Sequence, residues 1–154
     1  MEQVSSLRRV RLAAGAMGAR RGGVAVKIEH AAYQVKDPVA ASQWYVDHLG
    51  LTIKRAEAGP PFGRFLADDG DAVMLEFYNN PSVAQPDYWQ IDPIALHVAF
   101  RADDLPAVRA RLIAAGATAV GDVRRAESGD ELAMLRDPWG LPVQLVKRKT
   151  EMIG

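Results

Sequence analysis

The sequence predicts an α+β protein built from two tandem βαβββ modules, and three observations carry that prediction. The 154-residue chain aligns with itself at an offset of 67 or 68 residues, Val26 to Tyr78 against Ile94 to Val146; a fixed internal offset marks a repeated structural unit. Each half opens on an apolar stretch that carries one histidine, His30 in the first and His97 in the second. Each half then runs through one capped helical stretch and three further stretches of strand character.

The opening strands are read as Lys27 to Tyr33 and Ile94 to Phe100. An aspartate suited to helix capping follows each, Asp37 before Pro38 and Asp104 before Leu105-Pro106, where proline is tolerated in the first helical turn. Leu105, Val108, Leu112 and Ala115 recur at steps of three and four and predict the apolar stripe of the second helix. Ala41, Trp44, Tyr45 and Leu49 do the same for the first. Gly50 and Gly116 stand where a left-handed residue ends a helix. Strands then follow over Leu51 to Ala56 and Thr118 to Val123. The closing pairs are Gly63 to Ala67 with Ala72 to Tyr78, and Glu131 to Arg136 with Leu141 to Val146, turning at Asp68-Asp69-Gly70 and Asp137-Pro138-Trp139-Gly140. The expected organisation is one domain over 25–148, with module one at 25–80, a proline-rich linker at 81–93 and module two at 94–148. A tail at 149–154 completes it. Residues 1–24, with five arginines and one acid, read as a flexible basic extension outside the fold, and Met17 offers an alternative start.

Composition narrows the function classes. Lys plus Arg equals Asp plus Glu at 19 each, which argues against a nucleic-acid footprint and leaves a small molecule as the expected partner. No apolar run approaches the roughly 20 residues of a membrane-spanning helix. There is no cysteine, so disulfides, thiolate metal sites and cysteine nucleophiles are excluded, and a cytoplasmic location is expected. Any metal must be held by His, carboxylate and amide side chains.

Alternation along the strands sorts residues by face. Ile94, Leu96, Val98 and Phe100 should point toward the helix, with Ala95, His97 and Ala99 opposite. Ile28, His30 and Ala32 share the corresponding outer face of the first strand. Val73, Leu75 and Phe77 face the helix against Met74, Glu76 and Tyr78, and Leu141, Val143 and Leu145 face it against Gln144. Each module thus places two polar residues on its outer face, and the separations match: His30 to Glu76 spans 46 residues and His97 to Gln144 spans 47. One such residue alone is more often solvated or locally hydrogen-bonded. Four at equivalent positions, two imidazoles, a carboxylate and an amide, form a reasonable donor set for Zn, Ni, Co, Mn or Fe if the halves pack so that they converge.

These residues resemble the glyoxalase, bleomycin-resistance and extradiol-dioxygenase superfamily, the vicinal-oxygen-chelate (VOC) proteins, over about Val26 to Lys147. The motifs are Ile28-Glu29-His30, Trp44-Tyr45-Val46-Asp47-His48-Leu49-Gly50-Leu51, Met74-Leu75-Glu76-Phe77, Leu96-His97-Val98, and Asp137-Pro138-Trp139-Gly140-Leu141-Pro142-Val143-Gln144-Leu145. The resemblance implies a VOC fold with a sheet-lined cleft. It further implies that His30, Glu76, His97 and Gln144 hold one divalent metal ion, as in the glyoxalase I branch. That branch usually has glutamate at the position of Gln144, where it is ligand and base. A glutamine cannot cycle a proton, so Glu76 becomes the expected catalytic base. The same change counts against extradiol oxygenase chemistry.

The implied function is a metal-dependent lyase or isomerase, lactoylglutathione lyase-like, acting on vicinal oxygens through an enediolate-type intermediate. The alternatives are a metal-free, antibiotic-resistance-type binding protein and an extradiol-type dioxygenase. Met74, Tyr78, Phe62, Arg64, Trp89 and Arg101 are the expected substrate-binding residues, by face or loop position. Trp139 is expected to be structural, and His48, which matches no ligand position, a surface or helix-end residue. A homodimer is expected, with the four ligands drawn from one chain or from both.

Overall fold

The computed structural model describes residues 26–152, so the basic extension lies outside the described residues. Two four-stranded sheets each carry one helix. Module one comprises β1 (His30–Gln34), α1 (Pro38–Leu49), β2 (Thr52–Ala56), β3 (Arg64–Ala67) and β4 (Met74–Tyr78), with sheet order β1-β4-β3-β2. Module two repeats it with β5 (Val98–Arg101), α2 (Leu105–Ala114), β6 (Thr118–Arg125), β7 (Glu131–Arg136) and β8 (Pro142–Lys147), in the order β5-β8-β7-β6. In each sheet the first strand pairs parallel to the last, and the other pairings are antiparallel.

The helices begin and end as their sequences dictate. Asp37 accepts the Ala40 N–H at 2.9 Å and Asp104 that of Ala107 at 3.1 Å, so each satisfies a donor that the helix itself cannot. Gly50 and Gly116 take positive φ, at 73° and 97°, just past the helix ends. The apolar stripes go inward. Ala41, Trp44, Tyr45, Leu105 and Leu112 are buried against Leu66, Leu75 and Phe77 of one sheet and Leu135, Val143 and Leu145 of the other, in a single continuous core. Two hydrogen bonds cross between modules through that core: the Trp44 indole N–H donates to the Ala115 carbonyl at 2.9 Å, and the Tyr45 hydroxyl donates to Asp137 at 3.0 Å.

Two strands begin three or four residues later than expected. The strand expected from Ile94 begins only at Val98, because Pro93 to Leu96 form a turn. Asp92 builds that turn: its side chain accepts the Ile94 N–H at 2.8 Å and its carbonyl accepts those of Ala95 and Leu96. Aspartate before proline favours such a local bond over a sheet ladder. Ile94, expected to face the helix, is therefore 76 % exposed. The first strand likewise begins at His30 rather than Lys27, leaving Ile28 74 % exposed.

The segment 81–93 holds one 3-10 turn, Tyr88–Gln90, with Tyr88 buried. The Tyr88 hydroxyl donates to the Gln34 carbonyl of module one at 2.9 Å. Arg136 of module two donates to the carbonyls of Tyr88, Ile91 and Gly140 at 2.6, 2.8 and 3.0 Å.

Candidate functional site

The outer faces of the two sheets carry the expected polar residues in matching register. Ala32 pairs with Glu76 in module one, and Ala99 pairs with Gln144 in module two. His30 stands two residues before Ala32 within β1, and His97 two before Ala99 just ahead of β5, so the same sequence offset recurs. In module one it brings His30 Nε2 to 3.4 Å from Glu76 Oε2. The imidazole side chain is 39 % exposed and the carboxylate 19 %, which leaves both accessible on one side and shielded on the other.

Each imidazole is held through its other nitrogen. His30 Nδ1 is in hydrogen-bond contact with the Glu29 carboxylate, and His97 Nδ1 lies 2.7 Å from the Pro93 carbonyl. A carbonyl or carboxylate partner at Nδ1 orients the ring and leaves Nε2 as the lone-pair donor, the arrangement that suits a metal-binding imidazole. Glu29 also raises the His30 pKa, against an opposing effect of desolvation; the charges of Glu29 and Glu76 act in the same raising direction. Protons therefore compete with any cation for this nitrogen.

The donor set fits a divalent ion in part. Two donors each about 2.1 Å from one ion at a tetrahedral angle stand roughly 3.4 Å apart, which is the His30–Glu76 separation. Among the described residues, however, no three His, Asp or Glu side chains gather closely enough to hold an ion. His97 is not brought to His30 and Glu76 within the chain. Of the expected quartet, His30 and Glu76 are in contact on one sheet, while Gln144 on β8 and His97, just ahead of β5, stand at the matching positions of the other module.

Phe65, which alternation in its short strand could have singled out, completes the first pair. It stands opposite Glu76 on β3 and meets the His30 ring edge to face, with centroids 5.7 Å apart. On β2, Arg55 pairs with Phe65 and sets its guanidinium over the ring, 5.9 Å from the centroid. The row across the sheet is thus Ala32, Glu76, Phe65, Arg55, with His30 diagonal to it beside Glu76 and Phe65. In module two the residue opposite Gln144 is Met134.

The expected substrate-binding residues fall in different places. Met74 and Tyr78 alternate with Leu75 and Phe77 and share the Glu76 face. Arg64 pairs with Phe77 and so lies on the helix side of its sheet, where it donates to the carbonyls of Glu57 and Gly63. Phe62 sits half-buried in the loop before β3. Trp89 lies against Gly140, whose absent Cβ would stand 2.8 Å from the indole, and it lines a hollow of about 390 Å³ with Tyr88, Pro138 and Trp139. Arg101 is ion-paired to Asp103 and Glu151 at the rim of a cleft of about 600 Å³ between the modules. None of these last four joins the His30–Glu76 pair. His48 packs beside Trp44 at the end of α1. No helix among the described residues is long and apolar enough to cross a membrane.

The family model described as Glyoxalase/Bleomycin resistance protein/Dioxygenase superfamily matches residues 27–145. No curated protein matches the chain in sequence. Among solved structures the fold is similar to that of SMU.1112c, at 30 % identity over 79 % of this chain and 98 % of that one, with a TM-score of 0.64. It is also similar to TnmS3, an antibiotic binding protein from Streptomyces sp. CB03234, at 22 % identity over 82 % and 99 %, with a TM-score of 0.64. A glyoxalase I mutant from Zea mays aligns at 22 % identity and a TM-score of 0.64, over 80 % of this chain and 46 % of the maize protein.

Proposed function

We propose, from the premise that the chain belongs to the Glyoxalase/Bleomycin resistance protein/Dioxygenase superfamily, that it is a cytoplasmic, metal-dependent lyase or isomerase of the glyoxalase I kind. Its substrate is a small molecule with vicinal oxygens, and its site is completed by a second copy of the chain. The observation that carries this reading is the His30–Glu76 pair, with Nε2 and Oε2 at ligand spacing and the imidazole held from behind by Glu29. His97 and Gln144 occupy the equivalent positions of the other module. In a symmetric dimer with sheet faces apposed, the His30–Glu76 pair of one copy meets the His97–Gln144 pair of the other, twice over.

A divalent ion bound there would polarise the adjacent oxygens of the substrate. The residues supply the rest. His30 and His97 offer ring nitrogens, each oriented through Nδ1. Gln144 offers a neutral amide oxygen and cannot take up a proton. Glu76 is the one carboxylate of the quartet, and its Oε atoms take the proton from the substrate carbon and return it to the neighbouring position, the step common to enediolate-type isomerases and lyases. Phe65 walls the site on one side and limits the access of water to it.

Complementation between variants tests the assembly. His30→Ala and His97→Ala proteins, each purified alone without chelator, are expected to bind no metal. Co-expressed, they form mixed dimers in which one site carries both mutations and the other carries neither. Random pairing then restores about a quarter of the wild-type metal content. No restoration, with dimers present, rejects the shared site; an empty wild-type protein rejects the metal and turns the reading to metal-free small-molecule binding.

A further inference from the structure

We propose that Arg55 is an anion-binding residue of this site, so that its substrate carries a carboxylate several atoms away from the chelating oxygens; the inference rests on the metal-dependent reading given above. The argument begins with a local irregularity. β2 and β3 pair as Thr52 with Ala67 and Ile53 with Leu66, but then as Arg55 with Phe65. Lys54 is an extra residue, a β-bulge. Without it strict alternation would put Lys54 opposite Phe65 and turn Arg55 to the helix side, opposite Arg64. With it, Arg55 joins the outer face. A single inserted residue re-aims every side chain beyond it, which is the use to which bulges beside functional sites are put.

The re-aimed side chain is prepared for a ligand. Its guanidinium lies over Phe65, the same ring that meets His30, so the aromatic surface links the cation to the ligand pair. Among the described residues Arg55 has no carboxylate partner, whereas Lys54 beside it pairs with Asp71, Arg101 with Glu151, Arg125 with Glu131 and Arg148 with Asp130. A stacked guanidinium keeps its in-plane N–H donors free, and these match a carboxylate two at a time. β2 and β4 are separated by β3, so Arg55 and Glu76 stand two strand spacings apart, roughly 10 Å between backbones. Much of that distance is spanned by the arginine side chain itself, which leaves a gap of a few methylene groups for the ligand.

Two chelating probes of equal length separate the cases: adipic monohydroxamate, with a terminal carboxylate, and hexanohydroxamate, with a terminal methyl. Each is titrated into the full chain after loading with cobalt(II), and affinity is read from the visible absorption of the ion. The wild type should prefer the carboxylate probe by about tenfold. Arg55→Gln should lose that preference while still binding hexanohydroxamate as the wild type does, Lys54→Gln should keep it, and roughly 0.5 M salt should shrink it because the site is exposed. Equal affinities in the wild type, or a preference that survives Arg55→Gln, overturn the assignment of Arg55 and leave the metal reading standing. A wild type that takes up no cobalt, measured beforehand by mass spectrometry, overturns both.

Discussion

Module one and module two are the same scaffold with different chemistry on it. Their parallel pairings place residues 76 and 144 identically, each opposite an alanine on the neighbouring strand. Yet the first position holds a carboxylate at 3.4 Å from an imidazole, flanked by Phe65 and Arg55, and the second holds an amide facing Met134. Hydrogen-bond register decides where a side chain stands, and residue identity decides whether it can carry charge or a proton. On the function proposed above, proton transfer would fall to module one and neutral ligation to module two.

Glu76→Gln is the largest test of that division. With both modules then presenting amides, turnover of an enediolate-forming substrate should fall by about a hundredfold or more, the usual contribution of a general base. Metal content, by mass spectrometry, should fall much less than in His30→Ala. Full turnover would mean that the base lies elsewhere.

The two modules also differ at their final turns, and the difference is ionic. Asp68 and Asp69 are exposed, whereas Asp137 is buried, accepting the Tyr45 hydroxyl and the N–H groups of Trp139 and Leu141. Burial pushes the Asp137 carboxyl up from 3.8 to about 6, although those donors pull it the other way. Because the folded-state value is the higher one, the protonated carboxyl adds stability below about pH 4, and this contribution is lost as pH rises through about 6. At about 1.4 kcal/mol per unit the loss is about 3 kcal/mol. Asp137→Asn keeps an acceptor for the backbone donors and removes the titration, so urea unfolding between pH 4 and 7 should lose this slope in the variant. Parallel slopes in both proteins would assign the pH dependence to other groups.

A smaller test uses two glycines with positive φ. Gly50, at 73°, has open space around an added Cβ, so Gly50→Ala should cost only backbone strain, about 1 kcal/mol. Gly140, at 92°, has the Trp89 indole 2.8 Å from the same position, so Gly140→Ala adds displacement of Trp89 and should cost about 2 to 3 kcal/mol in denaturant. Equal costs would mean that Trp89 moves aside freely.

The repeat, both helices and the alternation of Glu76 and Gln144 with their buried neighbours were legible because they rest on uninterrupted periodicity. Leu75 and Phe77 point inward and Glu76 outward along a regular strand, and no other knowledge is needed. What escaped the sequence is whatever breaks the count or spans a long loop. Arg55 changes sides at a bulge that no residue type announces. Ile94 leaves the strand because Asp92 forms a turn, although hydrophobicity alone reads Ile94 to Phe100 as one run. The Tyr45–Asp137 bond joins residues 92 positions apart, and the Pro93 carbonyl behind His97 is a backbone group with no side-chain signature.

Tyr88 is fastened from both sides, its hydroxyl on the module one backbone and its carbonyl under Arg136 of module two. With the Trp44 and Tyr45 bonds across the shared core, this links the loss of either module to the loss of the other. A chain of two repeats has the makings of stepwise melting, each unit at its own temperature. Here neither half can be released without stripping buried partners from its twin, so unfolding is expected as one cooperative transition, with calorimetric and van't Hoff enthalpies in agreement.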